Sequence, residues 1–231
     1  MLRDPPVLTA LRGSGPQPVE KRSVVDLVVD EVRRSIVDGS LVAGVPISIA
    51  ALSARLGVSH IPVREGLRRL EGQGVIEFRQ GRSAIVAPVG LDDLKDLLAA
   101  RLALESELCA RAVRVAGPGD LAAAQRALSD LDAVGSDDVR ELAVRHRALH
   151  RQLVCTTTTS WEARLSEALD VAFDRYVPLL LASGEGARNL AHEHERLIAA
   201  FRSADPREAR AAVREHVEAT SERLGPMLGR T

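Results

Sequence analysis

The most constraining segment of the sequence predicts two short helices joined by a tight turn, between residues 48 and 71. Ser48 can cap the first helix and Gly57 can end it. Ser59 can cap the second helix, which has Pro62 in its first turn, where proline is tolerated. A tight turn between two such helices is typical of a helix-turn-helix, whose second helix enters the major groove of DNA.

The flanking segments complete this motif. Apolar residues recur at helical spacing from Val24 to Val37, and Gly39 is a suitable stop. After residue 74, β-favouring residues flank a polar turn over Arg79–Ser83, which predicts a short hairpin. Three helices followed by a hairpin form a winged helix-turn-helix.

The rest of the chain, from Leu91 to about Gly225, has helical periodicity throughout. Breaks in this periodicity predict about six helices, and they lie at residues 117–119, 135–136, 156–160, 183–186 and 205–206. The sequence therefore predicts a mainly α fold, with an N-terminal winged helix-turn-helix followed by an all-helical bundle. We divide it into a flexible arm rich in Pro and Gly (1–20), a winged helix-turn-helix domain (21–89) and a helical domain (90–225).

Charge and composition limit the function classes. The formal net charge of the 231 residues is −1, so global basicity does not indicate a nucleic-acid partner. Basic residues are instead concentrated between Arg55 and Arg82, where six arginines and three acids give a local excess of +3. No stretch approaches the roughly 20 apolar residues that a membrane helix needs, and the N-terminus lacks a signal-peptide pattern. We therefore expect a cytoplasmic protein without a membrane partner.

Exposed residues of the second motif helix and of the hairpin turn are candidates for contact with DNA. Arg64 is best suited to read a base, because its planar guanidinium can bind guanine O6 and N7 together. Arg68, Arg79 and Arg82 are better suited to phosphates. On spacing alone, these arginines could equally form a solvated helix face. The predicted DNA-binding set is Ser59, His60, Arg64, Arg68, Arg79, Gly81 and Arg82.

The residues of this segment resemble a known family. Residues 52–71 contain the pattern Ser-x-x-Pro-Val-Arg-Glu-x-Leu, starting at Ser59, and are similar to the winged helix of the GntR family of bacterial regulators. The resemblance implies that Arg64 contacts DNA and that the wing around Gly81 reaches toward the minor groove. It also implies a homodimer that binds a palindromic operator in double-stranded DNA.

Two positions depart from the family pattern. His60 stands where the family usually has Arg, and it cannot make the same bidentate contact, so the operator is expected to differ. Gly66 stands where the family usually has Ala, and glycine weakens a helix interior by roughly 0.5–1 kcal/mol relative to alanine. Neighbouring packing must offset that loss.

Five of the six histidines fall in the helical domain. His146 and His150 are four residues apart, so they project from the same apolar face of one helix. His194 and His216 also lie on apolar stripes. His192 is turned about 200° from His194, given about 3.6 residues per turn, and we expect it in solvent.

Four inward histidines on three helices need partners. A single one is usually a satisfied core residue, but burying four imidazoles without partners costs on the order of 1–3 kcal/mol each. One divalent metal ion would satisfy His146, His150, His194 and His216 together. Zinc is our first choice and nickel the second, because imidazole ligands do not decide between them.

The helical domain resembles the FCD ligand-binding domain of the FadR subfamily, an all-helical bundle, over roughly Leu91 to Leu224. Segments 149–153 and 194–216 match the family's motifs for three metal histidines in order and spacing. His146 stands where metal-binding members usually have Asp or Asn. Four neutral imidazoles leave the metal charge uncompensated, so we expect an anionic effector carboxylate or a hydroxide at any vacant position.

Arg101 lies where the family has a recurrent arginine, and the resemblance predicts that it holds an effector carboxylate. An ion pair with Glu105 or another acid is an equal alternative. The sequence thus predicts a DNA-binding transcriptional regulator controlled by a small organic acid. The alternatives are a metalloenzyme that uses the same histidines and a regulator with a purely structural metal. The acids next to the histidines, Glu193, Glu195 and Glu215, do not share their inward faces, which disfavours a hydrolytic enzyme.

Overall fold

The computed structural model describes residues 23–79, 83–135, 138–154, 159–182 and 186–229, without the side chains of residues 160, 181 and 186–193. The predicted arm (1–20), Gly81, Arg82 and the side chain of His192 lie outside this description. Within the described ranges, no helix combines the length and the apolar character that crossing a bilayer requires.

The N-terminal part is a three-helix unit with a small antiparallel sheet. The helices are α1 (Val24–Val37), α2 (Ile49–Leu56) and α3 (His60–Glu71). The strands β1 (Pro46–Ile47), β2 (Ile76–Phe78) and β3 (Ala84–Val86) form one sheet in the order β1-β3-β2. The structure confirms the predicted helices and the hairpin β2-β3. Sequence analysis missed β1, because a strand of two residues is too short to show an alternating pattern.

Local capping explains where these helices begin and end. Ser48 Oγ accepts a hydrogen bond from the backbone N–H of Ala51, at 3.1 Å, and caps α2. Gly57 ends α2 in the left-handed conformation, with φ of 65°, which glycine adopts without strain. Ser59 occupies the N-cap position of α3 without a side-chain capping bond. The turn from α2 to α3 is therefore set by Gly57.

Close packing of α1 on α3 explains the glycine in the middle of α3. Val28 of α1 and Val63 and Leu67 of α3 are fully buried in the N-terminal core. A Cβ atom at Gly66 would lie 2.7 Å from Val28 Cγ1, which is too short for a real contact. Gly66 thus permits the two helices to approach each other, which offsets its low helix propensity.

The C-terminal part is an all-helical bundle. Its helices are α4 (Leu91–Val115), α5 (Pro118–Asp132), α6 (Val139–Val154), α7 (Ser160–Phe173), α8 (Val177–Ala182), α9 (Gly186–Ser203) and α10 (Pro206–Leu228). The described chain therefore has seven helices here where the sequence predicted about six. The additional break is a 3₁₀ turn at Asp174–Tyr176, whose side chains are buried. Arg175 donates a hydrogen bond to the backbone carbonyl of Pro88, and the Tyr176 hydroxyl donates one to the carboxylate of Asp93.

The two parts pack against each other along α1. Val37 of α1 belongs to the core of the helical bundle, and Val171 of α7 belongs to the N-terminal core. Two ion pairs cross the same boundary, one between Arg33 and Asp174 and one between Arg140 and Asp38. The bundle is therefore joined to α1 by both apolar and ionic contacts.

Candidate functional site

One face of α3 carries polar side chains into solvent. His60, Arg64 and Arg68 are exposed, while Val63 and Leu67 on the opposite side are fully buried. This division follows from helical periodicity, since residues 60, 64 and 68 recur at intervals of four. The structure thus brings three of the predicted DNA-binding residues onto one exposed face.

The arginines of α3 differ in their availability. Arg69 donates to Asp26 of α1 at 2.6 Å, so it joins two helices of the fold. Arg68 stacks over the ring of Phe78, 5.4 Å from its centroid. Within the described ranges Arg64 forms no hydrogen bond or ion pair. Its guanidinium is therefore free to bind an outside partner.

The remaining predicted DNA contacts lie next to α3 or on the hairpin. Ser59 is exposed at the start of α3. Arg79 is exposed at the end of β2, and its backbone N–H donates to the carbonyl of Ser83 at 3.0 Å. Because Gly81 and Arg82 lie outside the described ranges, their contact with DNA stays a prediction.

The four predicted metal histidines come together inside the helical bundle. His146 and His150 project from α6, His194 from α9 and His216 from α10. One ligand nitrogen from each lies within 4.8 Å of the others. His150, His194 and His216 are buried, and His146 is partly buried.

The histidine rings are held in a form that suits metal coordination. The Nε2 atoms of His150 and His194 are 3.1 Å apart, so both nitrogen atoms face the same small volume. Burial, together with the neighbouring histidines, lowers the pKa of His146 and of His216 well below the ordinary 6.5. Both imidazoles are therefore neutral at pH 7, which is the form that binds a metal ion.

A buried carboxylate lies behind the histidine cluster. Glu105 Oε2 is 3.7 Å from Nδ1 of His150, on the side of the ring away from His194. Burial alone would raise the pKa of Glu105, but Arg101 and His150 outweigh burial and lower it to about 2. Glu105 is therefore ionised and lies on the Nδ1 side of His150, at a distance longer than a hydrogen bond. A carboxylate on this side that moves within hydrogen-bond distance orients a histidine that ligates through its other nitrogen.

Arg101 is held by two acids of its own domain. Its Nε donates to Glu105 Oε1 at 2.7 Å, and its Nη2 is 3.6 Å from Asp170 Oδ1. Its guanidinium also stacks on the ring of Phe173, 5.0 Å from the centroid. The sequence left two alternatives for Arg101, an ion pair with Glu105 and a contact with an effector carboxylate. The ion pair is present, and the effector contact stays a prediction.

Free space next to the histidines is small. Two cavities of about 10 Å³ each flank the cluster, one beside Glu105, His150 and His216 and the other beside Arg101 and His146. Each has room for about one water molecule. A cleft of about 550 Å³ between α1, α6 and α7 shares Arg147 and Asp170 with the second cavity.

Sequence reasoning missed Glu105 as a partner of His150, and it missed Asp170 and Asp174. The spacing of four between Arg101 and Glu105 is a signal that could have identified their pairing. Asp174 is 141 residues from its partner Arg33, and no local pattern links the two.

Comparisons with known proteins agree with this arrangement. The family described as "Bacterial regulatory proteins, gntR family" matches residues 25–86, and the family described as "FCD domain" matches residues 96–219. An HTH-type transcriptional regulator, BphR, from Paraburkholderia xenovorans is 28% identical over 90% of this chain and 88% of its own length. The Glc operon transcriptional activator of Escherichia coli is 26% identical over 89% of this chain and 90% of its own.

Solved structures show the same fold. E. coli McbR/YncC superposes with a TM-score of 0.77 at 23% identity, over 89% of this chain and 98% of its own. A GntR-family transcriptional regulator from Pseudomonas syringae superposes with a TM-score of 0.51 at 26% identity, over 89% of this chain and 86% of its own. Both likenesses extend across the winged helix and the helical bundle.

Proposed function

Because the chain belongs to the GntR family of bacterial regulatory proteins and carries an FCD domain, we propose that α3 reads an operator under the control of a ligand in the helical bundle. The chain is a DNA-binding transcriptional regulator, as its relatives are, and not an enzyme. The metalloenzyme alternative is therefore dropped. Because a bacterial transcriptional regulator acts on DNA inside the cell, we expect this protein in the cytoplasm.

The observation that carries the DNA-binding proposal is the exposed face of α3, with the unpaired guanidinium of Arg64. We assign Arg64 to a guanine, and Ser59, His60, Arg68 and the wing residues Arg79, Gly81 and Arg82 to nearby bases and phosphates. A homodimer on a palindrome would set two such helices about one DNA turn apart, roughly 34–36 Å.

Operator binding by substituted proteins tests this proposal. The operator is selected from a pool of random duplexes with the full-length protein, and its affinity is measured by fluorescence anisotropy. Replacing Arg64→Ala removes the guanine contact from both subunits and should weaken specific binding by at least about 30-fold, since each bidentate arginine–guanine pair contributes about 1–3 kcal/mol. Arg126→Ala removes the same charge from an exposed site on α5 and should leave binding within about twofold. Equal affinity of the wild-type protein for operator and random DNA would overturn the proposal.

We assign one divalent transition metal ion to His146, His150, His194 and His216. The residues fit such an ion, because four imidazoles with convergent nitrogen atoms form a donor set that suits zinc or nickel. When bound, the ion supplies positive charge that the four imidazoles do not neutralise, and this charge attracts an anion. Glu105 orients His150, and Arg101 holds Glu105 in place.

We propose a small organic acid as the effector, with its carboxylate near Arg101. Arg101 is already paired with Glu105 and Asp170, and the adjoining cavity of about 10 Å³ is smaller than any organic acid. Entry therefore requires that Arg101 exchange at least one of its carboxylate partners and that Phe173 move with it. The cleft beside Arg147 and Asp170 is the open side from which the acid can approach.

A movement of Phe173 would act on the winged helix through the next residue in the chain. Phe173, on which Arg101 stacks, precedes Asp174, and Asp174 pairs with Arg33 of α1. A ligand changes DNA affinity only if it binds two arrangements of the protein differently. We propose that these two arrangements differ in how the 3₁₀ turn Asp174–Tyr176 packs against α1.

A screen of operator affinity against carboxylates tests the effector. A panel of mono-, di- and hydroxycarboxylates is added to the metal-loaded protein bound to its operator. At least one acid should change the dissociation constant by roughly 5–150-fold, and Arg101→Lys should reduce that change. If metal removal lowers thermal stability while no acid changes DNA affinity, the metal is purely structural and the effector proposal fails.

A further inference from the structure

A large apolar side chain stands in solvent at the start of α3. Ile61 is 76% exposed, more than any other large apolar side chain in the described ranges. It takes no part in the N-terminal core, which α3 enters through Val63, Leu67 and Leu70. The role of Ile61 in the fold is therefore small, and its side chain is available to a partner outside the chain.

The position of Ile61 relates it to the DNA-facing arginines. Arg64 and Arg68 follow it at intervals of three and seven residues, so all three lie on one stripe of the helix. As a β-branched residue, isoleucine has few rotamers and loses little entropy when a partner buries it. A stiff apolar group thus stands one turn before the arginine that we assign to guanine.

An aliphatic side chain in the major groove has one apolar group to contact, the methyl group of thymine. Isoleucine can neither donate nor accept a hydrogen bond, so it cannot recognise the polar base edges. Of the four base pairs, only those with thymine present a methyl group, at C5, in this groove. Contact with that methyl would distinguish thymine from cytosine.

We infer that Ile61 reads the 5-methyl group of a thymine in each half of the operator. The inference rests on the proposed function, because it requires α3 to enter the major groove. It makes Ile61 a specificity-determining residue beside Arg64, with an apolar contact at one base and a polar contact at another.

Replacing thymine by uracil removes the methyl group and leaves the hydrogen-bonding edges unchanged. In the operator selected with the full-length protein, each thymine is replaced singly, and then at the symmetric positions of both half-sites. Affinities are measured for the wild-type protein, for Ile61→Ala, and for Leu165→Ala as control. Leu165 is also an exposed apolar residue, 54% accessible, but it lies on α7 in the helical domain.

At one thymine of each half-site, uracil should weaken wild-type binding about fourfold, and about 15-fold when both half-sites carry it. Ile61→Ala should bind both forms within about twofold of each other, while Leu165→Ala should keep the full wild-type response. The inference is overturned if no thymine responds, or if Ile61→Ala responds as the wild type does. If the wild-type protein shows no sequence-specific binding at all, the proposed function fails as well. The two failures are therefore distinguishable.

Discussion

Arg33 of the winged helix and Asp174 of the helical domain form an ion pair, with 3.1 Å between Arg33 Nε and Asp174 Oδ2. The other oxygen of the same carboxylate accepts a hydrogen bond from Arg147, which follows the metal-site residue His146. The Asp174 side chain is 2% exposed, whereas each arginine side chain is 18% exposed. One buried carboxylate therefore joins α1 to the helix that carries two of the histidines.

Replacing Asp174→Asn should destabilise the protein, because two partly buried guanidinium groups lose their shared negative charge. We expect the free energy of unfolding to fall by about 3 kcal/mol, at the low end for a broken buried pair because both arginines retain contact with water. Urea denaturation followed by circular dichroism measures this change. The control is Asp130→Asn, whose 59% exposed carboxylate pairs with Arg145 at 3.4 Å and should contribute less than about 1 kcal/mol. Equal effects of the two substitutions would contradict the structural role of Asp174.

Replacing Gly66→Ala should destabilise the protein, although alanine is the better helix former. The added Cβ would press on Val28, and overpacking of this kind costs roughly 1–3 kcal/mol. The double variant Gly66→Ala/Val28→Ala should recover part of the loss that Val28→Ala alone produces. Gly119→Ala in α5, where nothing lies within 4 Å of the new Cβ, should stabilise by up to about 1 kcal/mol. Stabilisation by Gly66→Ala, seen as a higher Tm, would show that α1 and α3 are not in close contact.

The elements that could be predicted from the sequence are those with a local signal. The two-helix motif is marked by Ser48, Gly57 and Ser59, and the histidines share faces with apolar residues at helical spacing. The periodicity also indicated the order of the domains, and the family resemblance agreed with it. The convergence of the four histidines on one metal ion was predicted from their spacing, and the resemblance supported that prediction.

The relationships that could not be predicted depend on tertiary contact. The close approach at Gly66 depends on Val28, which lies in a different helix. Asp174 shows no periodic pattern that predicts its burial, because its partners Arg33 and Arg147 come from two other helices. The 3₁₀ turn that holds it was read as a continuous helix for the same reason.

Glu105→Gln should weaken metal binding while the four histidines remain in place. A carboxylate that orients a ligating histidine typically contributes 10–100-fold to metal affinity, and we expect a loss in that range. Competition with a chromophoric chelator measures the dissociation constant. Glu107→Gln changes an acid two residues away on α4 that pairs with Arg210 at the surface, and it should leave metal affinity unaltered. If both substitutions weaken metal binding equally, Glu105 has no specific role.

The metal-free protein should lose stability as the pH falls below about 6.5. Burial and the neighbouring histidines lower the pKa of His146 and of His216 in the folded state below 6.5, whereas the unfolded chain titrates near that value. Above pH 6.5 both states are neutral and the two groups contribute nothing. Below it the unfolded chain takes up protons that the folded chain does not, so the free energy of unfolding falls by up to roughly 1.4 kcal/mol per pH unit for each histidine.

Thermal denaturation of chelator-treated protein between pH 7.5 and 5.5 checks this slope. A variant with His146→Gln and His216→Gln should show a flatter profile over the same range. His60→Gln, which changes an exposed histidine on α3, should keep the wild-type slope. A metal-free wild-type protein whose Tm does not change with pH would contradict burial of neutral imidazoles.

The most direct test of the central claim is the metal content of the purified protein. The protein is purified without chelator or metal-binding tag, and elemental analysis compares wild type with His150→Ala/His194→Ala. We predict about one zinc or nickel ion per wild-type chain and none in the variant, which would establish the histidine centre in the helical domain. Absence of metal from the wild type, or equal metal in both proteins, would contradict it and reduce the four histidines to polar residues of the bundle core.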